Sequence, residues 1–305
     1  MTQNLNISSI IDQQRIAESM LIDIDDWCEN EYLDGHREHL GGSMIGKPCS
    51  RQLWYGNRWV KKPDYSSEKK TNGQVMRLFQ RGHREERWFT EYLIGIGCKL
   101  DATPENQFRI SDIEGHFGGS MDNVGYLPER YGIEEKILFE FKTLNMANYT
   151  KLNSRREKTR KAGVLTATMP DVYPVYWSQV CVYGYKMGLK YVYFMAQNKN
   201  DDSLYIEIIT LDHEHAQNMI DKAGAIITAQ EPPQKISLHR TDFNCKWCSF
   251  RDICHDDEPI EEKNCRSCKN CTAGANKTWL CQLNGNQAIP QDFIKEGCDK
   301  WTPIA

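Results

Sequence analysis

The stretch that decides the fold is ILFEFKT, at residues 137–143. Its odd-numbered positions are mostly bulky and apolar, whereas Glu140 and Lys142 fall on even-numbered positions, which is the period of a β-strand. Residues two apart in a strand project from the same face, so this carboxylate and this ammonium group can share one site. Such a pair could bind a hard divalent cation and stabilise charge that develops on a phosphate. The E-x-K pattern is common by itself, so the rest of the chain decides its meaning.

Two upstream residues strengthen this interpretation. Asp122 precedes Glu140 by 18 residues and lies in GGSMDNVGYL, at the start of an apparent strand. His83 lies in RGHREERWF, on a helix that we expect at residues 73–95. A single histidine on a helix is more often structural than a metal ligand, but its place ahead of the aspartate and the E-x-K pattern favours ligation. Glu86 shares the helix face of His83, and we predict it to be a surface group.

Composition limits the class of protein. The chain has 305 residues, of which 40% are apolar and 26% charged, so it can bury one core and carry a small additional module. The formal net charge of -4 disfavours a protein that coats DNA without sequence preference. No apolar run approaches the ~20 residues of a membrane helix, and the N-terminus is too polar for a secretory signal. We therefore expect a protein that works in a cytoplasm and not in a membrane.

The order of predicted elements, α–β–β–β–α–β, is typical of a mixed α/β domain. Further strands are expected at 106–110, 115–127, 191–196 and 204–209, and further helices at 172–188 and 211–229, with Asp212 as a possible cap of the last. A proline-marked link at 231–234 leads into a cysteine-rich tail. We divide the chain into a polar, partly helical extension (1–42), a catalytic domain (43–258) and a cysteine-rich, zinc-ribbon-like module (259–305).

Two segments are candidates for contact with nucleic acid. KLNSRREKTRKAG, at 151–163, includes Arg155 and Arg156 and is either a solvated face or the path of a displaced single strand. Gln179 and Tyr183 are four residues apart on an aromatic-rich helix, so they can present an amide and a phenol together. The alternative for Tyr183 is simple packing in the core.

With these residues in place, residues 43–254 resemble the RecB-like branch of the PD-(D/E)XK nuclease superfamily. The resemblance rests on four motifs in order: Gly82-His83, Gly119-x-x-Asp122, Glu140-Phe141-Lys142 and Gln179-x-x-x-Tyr183. It implies a restriction-endonuclease-like core, a mixed sheet flanked by helices. It also implies that Asp122, Glu140 and Lys142 are catalytic and that Gln179 and Tyr183 contact DNA. The implied ligands of a Mg²⁺ or Mn²⁺ ion are His83, Asp122, Glu140 and the carbonyl of Phe141.

Cysteine placement suggests a second kind of metal centre. Eight of the 12 cysteines fall in the last 61 residues, and in a reducing compartment this favours metal or iron–sulfur ligation over disulfides. The first set is Cys49, in SMIGKPCSRQLWY, with Cys245, Cys248 and Cys254. It resembles the iron–sulfur subgroup of the family, which includes AddB-type nucleases and the CRISPR-associated adaptation exonuclease, and this implies a [4Fe–4S] cluster. Such a cluster would link residue 49 to residues 245–254 and so close a loop of about 200 residues. Zinc in the same thiolates, or Cys49 as a buried apolar residue, are the alternatives.

Five cysteines remain beyond residue 254, and four thiolates suffice for a structural zinc site. Spacing favours the set Cys265, Cys268, Cys281 and Cys298. Cys271 is then left free, although Cys271 in place of Cys268 fits the spacing nearly as well. The isolated Cys28, Cys98 and Cys181 are most simply buried small apolar residues.

The sequence therefore predicts a metal-dependent DNA exonuclease that acts on ends, with single-stranded ends favoured, in recombination, repair or phage genome processing. Its expected partners are DNA and a helicase or recombinase. The alternatives are a structure-specific endonuclease and a non-catalytic DNA-binding or assembly factor built on a nuclease fold. An interaction protein with an accidental E-x-K is a further alternative, which the order of the motifs disfavours.

Overall fold

The computed structural model of the chain describes residues 7–103 and 106–304, with side chains from residue 13 onward. The helices in these ranges are α1 (Ile7–Tyr32), α2 (Ser50–Asn57), α3 (Asn72–Gly95), α4 (Met146–Lys161), α5 (Met169–Val172), α6 (Pro174–Lys186), α7 (His213–Thr228), α8 (Arg251–His255) and α9 (Gln291–Glu296). The strands are β1 (Leu40–Gly41), β2 (Lys99–Leu100), β3 (Arg109–Asp112), β4 (Phe117–Ser120), β5 (Asn123–Tyr126), β6 (Ile137–Leu144), β7 (Tyr191–Asn198), β8 (Leu204–Thr210), β9 (Cys271–Ala273), β10 (Trp279–Cys281) and β11 (Gln287–Ala288).

The chain divides into two compact units. One consists of Met1–Gly35 and Pro63–Arg84, and the other of His36–Lys62 and Glu85–Ala305. All the strands given above belong to the second unit. The boundaries expected at 42/43 and 258/259 describe a different partition of the chain, and they stay predictions.

In the first unit, α1 approaches the start of α3 closely. A Cβ atom at Gly73 would lie 2.1 Å from the carbonyl oxygen of Asp25, so only glycine permits this approach. The Asp25 carboxylate accepts a hydrogen bond of 2.5 Å from Thr71 Oγ1 and pairs with Arg77. Helix α3 is the one predicted at residues 73–95.

The second unit is built on a five-stranded sheet with the order β2-β5-β6-β7-β8. Strands β6 and β7 are parallel, with Leu138 opposite Val192, and the other neighbours are antiparallel. Helices α4, α5 and α6 form the crossover between the two parallel strands, as a parallel pair requires. The predicted class, a mixed α/β fold with a mixed sheet flanked by helices, is thus confirmed.

Strand β6 is buried on both faces. On one face, Phe139 and Phe141 pack with Phe89 of α3, whose ring centroid is 5.2 Å from that of Phe141. On the other face, Leu138 and Leu144 join the larger hydrophobic core together with α6 and α7. The alternation predicted for residues 137–143 is therefore present, and it directs Glu140 and Lys142 toward α6.

The single strand expected at 115–127 is two strands, β4 and β5. Strand β4 pairs with β1 and β3 in a separate three-stranded sheet, whereas β5 belongs to the five-stranded sheet. The chain changes sheets at Met121 and Asp122, where the Met121 amide donates to the Phe108 carbonyl at 2.9 Å. Asp122 therefore lies at the junction of two sheets and not within a strand.

In the tail, the described strands β9, β10 and β11 form an antiparallel sheet that packs on the rest of the second unit. The Gly274 carbonyl lies 2.9 Å from Nε2 of His116, and the Lys277 ammonium pairs with Glu38 at 2.6 Å. None of the described helices is long and apolar enough to cross a membrane.

Candidate active site

The site is centred on Glu140, whose side chain is 0% exposed. Its Oε1 accepts hydrogen bonds from the ammonium of Lys142 and from Nε2 of Gln179, the latter at 2.8 Å. Its Oε2 has no hydrogen-bond partner among the described residues. A buried carboxylate oxygen without a partner is costly, so this atom is a natural ligand for a cation.

The Lys142 ammonium group donates hydrogen bonds to two oxygens of β6. Besides Glu140 Oε1, its Nζ donates to the carbonyl of Phe141 at 3.0 Å, and it lies 5.3 Å from the centre of the Tyr176 ring. Burial alone lowers the pKa of Lys142, but the carboxylates of Glu140 and Asp122 raise it above its ordinary value, so the group stays charged. These two oxygens are the ones that the family resemblance assigns to a metal ion, and they already accept a positive charge.

Asp122 is held beside β6 from the junction between the sheets. Its Oδ2 accepts a hydrogen bond of 2.7 Å from the backbone amide of Phe141. This bond brings a second carboxylate next to Glu140. Asp122 and Glu140 together provide the hard oxygen donors that Mg²⁺ and Mn²⁺ prefer.

Glu86 is a residue of this site that the sequence interpretation missed. It was predicted at the surface, but it is half-buried on α3 and accepts a hydrogen bond of 3.1 Å from Gln107 Nε2. Burial, and then the neighbouring Asp122 carboxylate, raise the pKa of Glu86 to about 8. Burial raises the pKa of Glu140 to about 7, although Lys142 opposes that shift. The carboxyls of Glu86 and Glu140 therefore resist ionisation beside Asp122, and a divalent cation bound among these groups would offset their mutual repulsion.

His83 is exposed and lies three residues before Glu86 on the same helix, in the other compact unit. Its role as a ligand stays a prediction. Among residues 7–103 and 106–304, no three His, Cys, Asp or Glu side chains are arranged to hold a single metal ion as they stand. Around Glu140, the Lys142 ammonium group supplies a positive charge in the place where a metal ion would supply one.

Gln179 and Tyr183 lie on one face of α6, as predicted, but that face is buried. Gln179 is 6% exposed and Tyr183 is 2% exposed. Gln179 orients Glu140 directly, through the hydrogen bond to Oε1. Their expected contact with DNA stays a prediction.

Tyr183 explains the glycine of the G-x-x-D motif. A Cβ atom at Gly119 would lie 2.2 Å from the Tyr183 hydroxyl oxygen, and one at Gly42 would lie 2.7 Å from its ring. The phenol therefore fills space that only two glycines leave open. This packing fixes the end of β4, three residues before Asp122.

The basic segment at 151–163 forms most of α4. Arg155 pairs with Asp171 at 2.5 Å. The guanidinium carbon of Arg156 lies 3.6 Å from the centre of the Tyr205 ring, and the same group donates to the carbonyl of Ile206. Both arginines thus have partners within the fold. The other cations of the segment are exposed: Lys151, Lys158, Arg160 and Lys161.

Four cysteines that are remote in sequence line one small cavity: Cys49, Cys245, Cys248 and Cys254. Cys49 is the N-cap of α2, where its sulfur accepts from the Gln52 amide at 3.4 Å. Arg51 also lines the cavity and approaches the Cys254 sulfur at 4.0 Å.

All five cysteines of the tail line a second cavity: Cys265, Cys268, Cys271, Cys281 and Cys298. Cys271 is the most deeply buried of them, and it lies opposite Cys281 in the pair of strands β9 and β10. Cys28, Cys98 and Cys181 are buried, as predicted.

No protein-family model and no curated protein matches this chain. Similar solved structures include an alkaline exonuclease from Laribacter hongkongensis, which is 15% identical, with 63% of this chain and 87% of that chain covered and a TM-score of 0.40. A phage-related exonuclease from Haemophilus somnus 129PT is 13% identical, with 58% of this chain and 76% of that chain covered and a TM-score of 0.34. Both TM-scores are below 0.5, so the function proposed next depends on the residues of this chain.

Proposed function

We propose that this protein is a metal-dependent DNA exonuclease that hydrolyses phosphodiester bonds at DNA ends, with single-stranded ends favoured, in recombination, repair or phage genome processing. The observation that carries the proposal is the Glu140 carboxylate. It is fully buried, one oxygen is held by Lys142 and Gln179, and the other has no partner among the described residues. Asp122 stands beside it on the amide of Phe141.

This donor set fits a hard divalent cation. Glu140, Asp122 and the Phe141 carbonyl would hold Mg²⁺ or Mn²⁺, and Glu86 adds a carboxylate close by. The bound ion would supply a nucleophilic water and stabilise the leaving oxygen of the phosphodiester. Lys142 contributes a charged ammonium group that orients the scissile phosphate and stabilises its developing charge. Gln179 holds the Glu140 carboxylate in its rotamer.

DNA as the substrate is supported by α4. Three of its exposed cations, Lys158, Arg160 and Lys161, lie in the last turn, where Arg160 also pairs with Glu157 at 3.0 Å. A surface of this kind attracts a phosphate backbone without reading its sequence, and the binding weakens steeply with salt. The half-buried Arg156 contacts Tyr205 and Ile206 and supports the fold rather than this surface.

A [4Fe–4S] cluster in the first cysteine cavity completes the proposal. Four thiols from the two ends of the domain surround that cavity, and Cys49 caps a helix there. In a cluster each cysteine binds a different iron, so its ligands are farther apart than those of a single ion. This agrees with four cysteines that line one cavity without converging on one point.

The test is cleavage of linear, 5′-labelled single-stranded DNA with Mn²⁺ or Mg²⁺, which compares the wild type with Lys142→Ala. We expect the variant to bind DNA normally and to lose activity by a factor of about 10²–10³, the typical cost of removing one electrostatic stabiliser. Lys190→Ala, an exposed lysine that pairs with Glu135 at 3.6 Å, is the matched control and should retain full activity.

Equal cleavage by the wild type and Lys142→Ala would contradict the catalytic assignment. Activity on circular single strands equal to that on linear strands would contradict the requirement for ends. Unfolding curves of all three proteins, with and without Mn²⁺, separate a loss of chemistry from a loss of structure.

A further inference from the structure

The face of α6 that contacts β6 changes from buried to open along the helix. Tyr176, Gln179 and Tyr183 are three and four residues apart, so they lie on this one face. Tyr183 is 2% exposed and Gln179 is 6% exposed, whereas Tyr176 is half-buried. On β6, the Glu140 side chain is 0% exposed and the Lys142 side chain is 21% exposed. Solvent therefore reaches the site beside Lys142 and Tyr176 rather than from the side of Tyr183.

The Tyr176 ring lies next to the group that would orient the scissile phosphate. Nζ of Lys142 is 5.3 Å from the centre of this ring, a distance at which an ammonium group is attracted to an aromatic face. Within one nucleotide the base and the phosphate are joined through a single sugar, so a phosphate that contacts Lys142 brings its base to the neighbouring ring. Every base has a π-face and can stack on an aromatic side chain, whatever the sequence. The ring is therefore placed to receive the base of the nucleotide that is being cleaved.

Tyr173 supports this ring and links it to α4. The ring centroids of Tyr173 and Tyr176 are 5.2 Å apart, with the planes tilted by 41°. The Tyr173 hydroxyl donates to the carbonyl of Asn148 at 2.7 Å, and the Asn148 side chain accepts from the exposed Lys151 at 3.0 Å. A continuous line of contacts thus joins the active-site ammonium, two aromatic rings and an exposed cation of α4. Rings that stack bases beside cations that follow the backbone are typical of surfaces that bind single-stranded nucleic acid.

We propose that Tyr176 is the platform on which the terminal base of a single strand stacks while the phosphate of that nucleotide lies beside Lys142. This inference rests on the proposed nuclease function, and it names the side chain that selects single-stranded ends. In a duplex the terminal base is paired and stacked on its neighbour, so its face meets Tyr176 only after the pair opens. Opening the pair costs free energy that an unpaired end does not require, and the preference for single strands follows from this difference.

The first test changes the DNA and uses the wild-type chain, so it does not depend on the folding of a variant. Labelled single strands carry one abasic residue at the 5′ end, at the 3′ end or in the interior, and their binding is measured by fluorescence anisotropy without divalent metal. We expect one of the two terminally abasic strands to bind about 5- to 150-fold more weakly than the interior control, the range that stacking of one base provides. Equal affinities for the three strands would overturn the proposal.

The second test replaces the ring in the full-length chain. Tyr176→Leu should bind the intact strand and the affected terminally abasic strand equally weakly, whereas Tyr176→Phe, which keeps the ring, should discriminate between them as the wild type does. Tyr185→Leu is the matched control and should also keep the wild-type discrimination, because Tyr185 is 38% exposed on the same helix and contacts the His213 ring. If Tyr176→Leu still discriminated like the wild type, the ring would serve packing alone and the proposal would be overturned.

Cleavage with Mn²⁺ separates a failure of this proposal from a failure of the nuclease function. Tyr176→Leu should lower kcat/KM on single strands more than on blunt duplexes, whereas Lys142→Ala should lower both alike. A wild type that cleaves DNA but binds the three abasic strands equally would contradict the stacking platform alone. A wild type that discriminates between those strands but cleaves no DNA would support the platform and contradict the nuclease function. Equal losses on single strands and duplexes in Tyr176→Leu would mean that the ring only positions Lys142, and the platform would be overturned.

Discussion

The side-chain amide of Gln179 donates a hydrogen bond of 2.8 Å to Oε1 of Glu140. This bond and the one from Lys142 both go to the same oxygen, so the carboxylate is fixed in a rotamer that leaves Oε2 unused. A helix residue thereby orients a strand residue from the opposite layer. Partners of this kind hold metal ligands in place without touching the metal.

We predict that Gln179→Ala lowers both Mn²⁺ affinity and cleavage rate by about 10- to 100-fold, because a ligand that loses its orienting partner binds metal less well. Titration of Mn²⁺ in the cleavage assay measures the effect. Gln217→Ala provides the control, since Gln217 is exposed and donates a hydrogen bond to Asp221 on its own helix. If Gln179→Ala lost DNA affinity with unchanged Mn²⁺ dependence, Gln179 would be a DNA contact, as the resemblance implied.

We predict that Gly119→Ala destabilises the protein by about 1–3 kcal/mol, because its methyl group would overlap the Tyr183 phenol. Chemical denaturation measures the loss. Tyr183→Phe removes the hydroxyl that lies 2.2 Å from the added carbon, so the double variant should recover part of the stability. Strictly additive losses in the two variants would show that the phenol is not the cause.

The strand at residues 137–143 and the helix cap Asp212 show which features of the fold could be predicted from the sequence. The alternation of residues 137–143 predicted a strand on which Glu140 and Lys142 share a face, since successive side chains of a strand point to opposite faces. Asp212 was expected to cap a helix, and its carboxylate does accept the His215 amide at 2.8 Å. These features depend on near neighbours in the sequence, where local rules apply.

Other features depend on partners that are remote in sequence. The break at Asp122 arises because β4 pairs with β1, with Leu40 opposite Phe117, and this cannot be inferred from residues 115–127 alone. Glu86 was placed at the surface because its helix position gave no sign of Gln107 or Asp122. Arg58 belongs to no motif, and only the packing of the tail on α2 places it against the carbonyls of Arg266, Cys268 and Cys271.

The raised pKa values of Glu140 and Glu86 predict a pH-dependent metal affinity. Both carboxyls hold their protons up to about pH 7 and about pH 8, and a metal ion must displace those protons. Mn²⁺ affinity should therefore fall by about tenfold per pH unit for each proton displaced as the pH drops from 8 to 6. Glu86→Gln should remove the part of this pH dependence that arises from the proton lost near pH 8. Equal affinity of the wild type at pH 6 and pH 8 would contradict the prediction.

The same pKa shifts predict how stability changes without the metal. The folded state holds protons that the unfolded chain releases above its ordinary carboxyl pKa of 4.5. Stability from this source is therefore present in acid and is lost as the pH rises toward 8, by about 1.4 kcal/mol per unit for each group. Mn²⁺ should reverse the loss. Thermal unfolding at pH 6 and pH 8, with and without Mn²⁺, measures both effects.

The cysteine cavity that includes Cys49 predicts a coloured protein. Anaerobically purified wild type should be brown and contain about four iron atoms per chain. Cys49→Ser should lose this iron and about 2–5 kcal/mol of stability, by analogy with a covalent staple that closes a long loop. Cys98 is also buried but lines neither cavity, so the Cys98→Ser variant should contain as much iron as the wild type.

If the two cysteine cavities hold different metals, Cys49→Ser and Cys281→Ser should each lose a different one, so the two variants distinguish the sites. Cys49→Ser should lose iron but keep zinc, whereas Cys281→Ser should lose zinc but keep iron. If the wild type is colourless and binds two zinc ions, the first cavity holds zinc and not a cluster. Cys49→Ser should then lose one of the two zinc ions. Loss of both metals from either variant would mean that the cavities fold as one centre, because Arg58 and Cys49 are carried by the same short segment around α2.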